Sequence, residues 1–304
     1  MNRVVFLLVP GVHLLDLAGP AQVFFGAADL GHDYVLSYVS EQAEVLTAQG
    51  LPLRAEPRLP TLSSDDLVFV PGWRAPRLAG TGPLRPTTLR WLRGHHDAGG
   101  TVASVCAGAD ALGRAGLLDG RRCTTHHNLQ EELARRHPAA TVVRDVLYVV
   151  DGRVVTAAGI ASGIDLALHL VATAHGPSTA AKIARNMVVY TRRNGDDQQA
   201  SAMLRHRAHV NDTVHRVQDV IDTRLADSLR LAELARLAGC SARTVTRLFS
   251  RATGMTPLRY QQILALERAE HLIGQGATVE LAAREVGFQD ARMLRRLRSG
   301  QHRR

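Results

Sequence analysis

The chain has few cysteines, no long apolar run and almost no lysine. Its three cysteines, Cys106, Cys123 and Cys240, are too few and too scattered for a disulfide framework or a zinc site. A reducing cytoplasm suits that usage. No stretch of 18 apolar residues occurs, which argues against a membrane span. The run Val4-Val5-Phe6-Leu7-Leu8-Val9 is short and lacks a small-residue cleavage site, so it reads as a strand rather than a signal peptide. Lys182 is the only lysine. A bias towards arginine of this kind is what a GC-rich genome produces, and it carries no functional weight. No residue pattern calls for a metal or a cofactor.

Hydrophobic residues make up 45% of the 304 and charged residues 21%, a balance that supports a packed core. The length suits two ordinary domains. The charge is uneven. Residues 1–180 carry 15 arginines against 16 carboxylates, a net of −1. Residues 181–304 carry 22 basic against 12 acidic side chains, a net of +10. A near-neutral half joined to a basic half points to a polyanion partner for the second, with nucleic acid the leading choice and a solvated basic surface the alternative.

The first half alternates apolar strands with helical spacing. Val4 to Val9, Tyr34 to Ser40, Leu67 to Val70 and Thr101 to Val105 read as strands; Pro20 to Leu30 and Arg85 to Ala98 read as helices. Continuous apolar strands between helices predict a parallel sheet covered on both faces. Asp151-Gly152 predicts a hairpin between Val142 to Val150 and Arg153 to Thr156, and Ile164 to Ala174 reads as a helix. Within this half, Val102-Ala103-Ser104-Val105-Cys106-Ala107-Gly108-Ala109 is an apolar strand entering a small-residue turn and then a helix. Such a turn lifts a nucleophile clear of the sheet, and a helix N-terminus favours its thiolate. Crevices of this kind lie at the carboxyl ends of strands. Cys106 reads equally as a small buried hydrophobe.

Ser104-Val105-Cys106-Ala107-Gly108, Ala115-Gly116-Leu117-Leu118-Asp119-Gly120-Arg121-Arg122 and Thr124-Thr125-His126 resemble the PfpI-type domain of the class I glutamine-amidotransferase-like superfamily. Leu15-Asp16-Leu17-Ala18-Gly19-Pro20 is similar to its first strand-to-helix turn, and Ala158 to Leu168 to its late glycine turn and helix. The resemblance covers roughly residues 3–175. It implies a flavodoxin-like sandwich, with Cys106 at the nucleophile position, Asp16 as its acidic neighbour and backbone amides as oxyanion donors. Gly72, Trp73 and Ala107 complete the implied ligand pocket. Two positions depart from the family. The usual Pro-Gly-Gly turn is here Pro71-Gly72-Trp73, so that a tryptophan caps or fills the pocket. His127 replaces a common tryptophan after His126. His126 and His127 are possible acid–base partners, but in an extended segment only one of two adjacent side chains faces a pocket.

The second half reads as helix throughout. Ala180 to Val189 is amphipathic, Thr191 to Gln199 is polar and breaks the period, and helical spacing resumes at Val214. Leu231, Leu234, Ala235 and Ala238 give one apolar face, Gly239-Cys240 a turn, and Ser241 an N-cap for a second short helix. Two short helices about a glycine turn are a helix-turn-helix pattern, although helical hairpins in general share it. The outward face of the second helix is Ala242, Arg243, Thr244, Thr246 and Arg247, residue types that suit base edges in a major groove. The pattern returns with Val279 to Val286, Gly287 and a helix bearing Ala291, Arg292, Arg295 and Arg296. Pro257 to Ile273 reads as a connecting helix able to hold two recognition helices ~34 Å apart, one turn of DNA.

Residues 213–298 resemble the AraC/XylS family, on Leu234-Ala235, Gly239-Cys240-Ser241, Arg247-Leu248-Phe249, Gly254-Met255-Thr256-Pro257, Tyr260, Leu266 to Ile273, Ala282 and Val286-Gly287-Phe288. Ala265 and Arg298 stand where the family usually carries an arginine and an aromatic core residue. The second unit is therefore expected to hold mainly phosphate through its arginines. Together the two halves resemble the GlxA group of regulators. The expected architecture is an α/β flavodoxin-like sandwich domain (1–178), a linker (179–212) and an all-α domain with two helix-turn-helix units (213–304). The expected partners are double-stranded DNA, a small-molecule effector and a second copy in a homodimer, with no membrane. A cysteine-dependent hydratase or hydrolase, or a redox sensor acting through Cys106, is the rival expectation.

Overall fold

The computed structural model describes residues 2–75, 77, 78, 80, 82–189, 195, 206, 207, 209–274, 276–288 and 290–301. The chain forms two compact units, Met1–Gln199 and Ala200–Arg304.

The first unit is built around β1 (Asn2–Leu8), whose residues from Val4 onward are fully buried. A six-stranded sheet runs in the order β2 (Tyr34–Ser40), β1, β5 (Leu67–Val70), β6 (Thr101–Val105), β10 (Val154–Ala157), β9 (Tyr148–Asp151). Every pairing is parallel except that of β9 with β10, the hairpin expected at Asp151-Gly152, although its first strand begins at Tyr148 and residues 143–147 are not strand. One register row of valines, Val5–Val68–Val102–Val154, crosses four strands. Such uninterrupted β-branched burial belongs to a sheet covered on both faces. Short strands β3 (Glu44–Leu46) and β4 (Pro52–Arg54), and β7 (Arg122–Cys123) and β8 (Thr141–Val142), form two further pairs.

The helices are α1 (Leu14–Asp29), α2 (Pro86–Asp97), α3 (Gly108–Arg114), α4 (Gln130–Arg136), α5 (Ser162–His175) and α6 (Pro177–Asn186). From β1 the chain passes outward through α1 to β2, then crosses back to β5 on the other side of β1. Right-handed crossovers place α1 and α2 on opposite faces, and the strand order reverses between β1 and β5. The stretch from 179 onward is not linker at its start. Ala180, Ile183 and Ala184 of α6 bury into the core of the first unit, where Gly26 meets Ile183. Most of the remaining expected linker lies outside the described residues.

The second unit contains α7 (Asp212–Thr223), α8 (Leu231–Leu237), α9 (Ala242–Thr253), α10 (Pro257–Gly274), α11 (Val279–Glu285) and α12 (Ala291–Gln301). It has two small cores. Val214, Val217, Ile221, Leu234, Val245, Phe249 and Tyr260 make one; Leu266, Ala269, Ala282, Val286 and Leu294 make the other. Helix α10 serves both, its first half in one and its second half in the other. Leu225 packs against each, and Gln261 Nε2 donates to the Leu225 and Asp227 carbonyls.

Candidate functional sites

The first turn of α1 and two loops meet where the strand order reverses. Asp16 follows β1, Gly72 follows β5 and Cys106 follows β6. Cys106 has a positive φ of 55°, unusual for a side-chain-bearing residue. Its N–H donates to the Ala157 carbonyl at 3.0 Å, and its own carbonyl accepts from Thr125 Oγ1 at 2.6 Å. Gly72 must be glycine, because an added Cβ would collide with the Asp16 carboxylate and the Cys106 Cβ. Gly108, at the start of α3, lies equally close to the Val70 carbonyl.

This cluster is closed. Asp16 and Ala107 are fully buried, and Cys106 and Trp73 are less than a tenth exposed. Trp73 bridges to Val12 through the backbone. Burial pushes the Asp16 carboxyl up to about 7, opposed by the nearby Gly72 amide. That amide falls short of a hydrogen bond, and neither Asp16 oxygen has a partner. Burial, and then the Asp16 charge, pushes the Cys106 thiol up to about 12 against the help of the Ala107 amide. The turn has the shape of a nucleophile elbow but holds a neutral thiol at pH 7.

The structure brings Asp16, Gly72, Trp73, Cys106 and Ala107 together, while the open space lies beside them. A cavity of about 150 Å³ is lined by His126, His127, Leu147 and residues 158–162. It touches the cluster through chain neighbours, since Thr125 and Ala157 hold the Cys106 backbone. The two histidines both line it. They are not in extended chain, because His126 caps a tight turn, His127–Leu129, and their rings lie 4.1 Å apart. Burial, then His127 and His13, lowers the His126 pKa. A second cavity, of about 320 Å³, lies between α1 and α6 against Gln22, Asp29, Ile183 and Met187. Among the described residues no group of three or more His, Cys, Asp or Glu could hold a metal ion.

The second unit presents two helices, α9 and α12, that each follow a glycine turn. Ser241 Oγ accepts from the Thr244 amide and caps α9; Gly239 (φ 69°) makes the preceding turn. Arg243 and Arg247 are exposed, and no described carboxylate pairs with either. Ala242 turns inward onto the core, and Thr246 Oγ1 donates to the Ala242 carbonyl, so the outward face is narrower than the sequence suggested. In the second pair, Thr278 caps α11, Gly287 (φ 81°) makes the turn, and Asp290 Oδ1 accepts from the Arg292 amide. Ala291 packs inward, as Ala242 does. The arginines here are engaged: Arg295 with Glu280 at 2.8 Å, Arg292 with Asp290 at 3.6 Å and Arg298 with Glu270 at 3.7 Å. Arg296 Nη2 lies 3.5 Å from Met293 Sδ. Sequence spacing does not reveal these carboxylates, because Glu280 and Glu270 stand on other helices. A further pairing it misses ties the incoming chain to α7, where Arg207 meets Asp219 (2.6 Å) and Asp222 (2.5 Å).

Known proteins share both halves. A profile of the DJ-1/PfpI family matches residues 2–173, and a helix-turn-helix domain profile matches residues 234–298. The chain is 30% identical over 277 residues to the HTH-type transcriptional regulator CdhR of Pseudomonas aeruginosa, covering 89% of this chain and 80% of that one. It is 36% identical over 180 residues to an isonitrile hydratase of Pseudomonas putida, covering 58% and 73%. The crystal structure of an AraC family transcriptional regulator from Pseudomonas putida superposes with a TM-score of 0.52 at 25% identity, over 62% of this chain and all of that one. The chain thus belongs to the DJ-1/PfpI family and, through its second half, to the DNA-binding helix-turn-helix transcription regulators. No described helix is long and apolar enough to cross a membrane.

Proposed function

We propose that the first unit binds a small effector or supports a homodimer, without catalysing a reaction, and that α9 leads sequence-specific DNA contact. The carrying observation is the contrast between the two sites. Arg243 and Arg247 stand exposed on a capped helix, with no carboxylate partner among the described residues. The Cys106 thiol is buried, and that burial pushes its pKa up to about 12. The cavity beside His126 and His127 is the entry we assign to the effector. Binding there biases the regulator only insofar as the effector prefers one arrangement of the chain over another.

Arg243→Ala and Arg247→Ala are each expected to weaken binding to a selected duplex by about 1–3 kcal/mol, the range for base contacts. Arg296→Ala is expected to lower affinity evenly across sequences. Equal losses on selected and random duplexes for both sets would sink the division of labour. A mobility-shift assay across small metabolites tests the effector, and unchanged affinity throughout counts against it.

The elbow at Cys106 and the likeness to an isonitrile hydratase favour a second reading, cysteine chemistry by hydration or hydrolysis. A third is redox sensing, tested by whether peroxide alters DNA binding in the native chain and not in Cys106→Ser.

A further inference from the structure

We propose that Glu280 is a specificity residue acting through Arg295: it holds that arginine away from random DNA and yields it only when the second recognition helix is seated. The inference rests on the DNA-binding reading.

Glu280 sits in the first turn of α11, where a carboxylate suits the helix dipole and Thr278 fixes the cap. From there it reaches Arg295 of α12 at 2.8 Å, with both side chains about 60% exposed. An exposed pair of this kind is weak and exchangeable. A phosphate can therefore replace the carboxylate, but only where the docked helix presents one at the right place. The second unit keeps two further arginines on carboxylates, Arg292 on Asp290 and Arg298 on Glu270. Among the described residues, no carboxylate holds Arg243 or Arg247 of α9. Random binding is a matter of phosphate contacts alone, each releasing counterions. An arginine that must first leave its own carboxylate adds less to that sum. Once base contacts have seated α12, the groove wall supplies the phosphate and the exchange goes through. The pair thus withholds one cation from unspecific complexes and grants it to the specific one.

The test uses the full chain, a random-sequence duplex, and a duplex selected in vitro by the native chain from a randomised pool. Affinities are read by fluorescence anisotropy between 50 and 200 mM salt for the native chain, Glu280→Gln and Glu280→Gln/Arg295→Gln. For Glu280→Gln on random duplex the salt slope should steepen by about 0.9, with roughly fivefold to tenfold tighter binding near 0.1 M salt. Slope and affinity on the selected duplex should change little, and Arg295→Gln should cancel the gain. An unchanged random-duplex slope overturns the proposal. So does a gain that survives in the double variant, which would mark a general charge effect. So does a Glu280→Gln chain that melts earlier and binds random duplex no better. A native chain that leaves both duplexes unbound in dilute salt overturns the DNA-binding reading itself.

Discussion

Asp16 is wholly buried without a hydrogen-bond donor, and the cost of that depends on pH. Its folded pKa of about 7 stands above the ordinary 3.8, so the folded state keeps a proton that the unfolded state releases. Stability from this group is therefore greatest below pH 4, falls as pH rises through 4–7, and levels off above, a swing on the order of 4 kcal/mol. Asp16→Asn should flatten that slope and raise stability at pH 7.5, as read by urea unfolding at pH 5, 6 and 7.5. A slope that persists in the variant would relocate the buried proton. The same substitution removes the charge that helps hold the Cys106 thiol up. Native Cys106 should alkylate slowly with iodoacetamide at pH 7.5, and faster in Asp16→Asn. Site-resolved mass spectrometry separates it from Cys240. Rapid native alkylation would return the cysteine-chemistry reading to the front.

The turns carry the second unit at the scale of its elements. Gly287 has a φ of 81°, and a Cβ there would collide with the Ala226 backbone. Gly287→Ala should cost more than the ~1–3 kcal/mol of an ordinary strained position. It should loosen α11 and α12 ahead of α8 and α9, since the two pairs have separate cores. Amide hydrogen exchange reads that order, and uniform loosening would deny it. Ser241→Ala should cost about 1 kcal/mol through the lost cap of α9. The elements that could be read from sequence were those with a strong local signal: the valine-rich strands, the Asp151-Gly152 hairpin, and the helices around Gly239 and Gly287. Helix α1 starts at Leu14, six residues before the start suggested by Pro20, because a proline within the second turn removes only one backbone hydrogen bond. The strands β7 and β8 are two residues each and leave no period to detect. Asp16, Gly72 and Cys106 came together in the sequence only through resemblance, since segments spread over 90 residues are joined by topology. The sealing of that cluster, and the carboxylates gripping α12, depend on packing that no spacing rule encodes.

At the scale of the whole molecule, charge and chemistry are segregated. The residues after 180 hold the excess of positive charge, and the buried thiol and carboxyl lie in the near-neutral half. DNA affinity should therefore fall steeply with salt, while occupancy of the His126 cavity by an uncharged effector should not. Parallel salt titrations of duplex binding and effector binding check this, and matching slopes would place charge in the effector site. Helix α10 adds a constraint of its own. Tyr260 and Leu264 face one core while Leu266 and Ala269 face the other, with no loop between. Inserting one residue after Leu264 would swing everything downstream by about 100° and empty one core or the other. The protein has no way to lengthen its stride by small steps. On the proposed reading, promoters that come under its control match its spacing rather than the reverse.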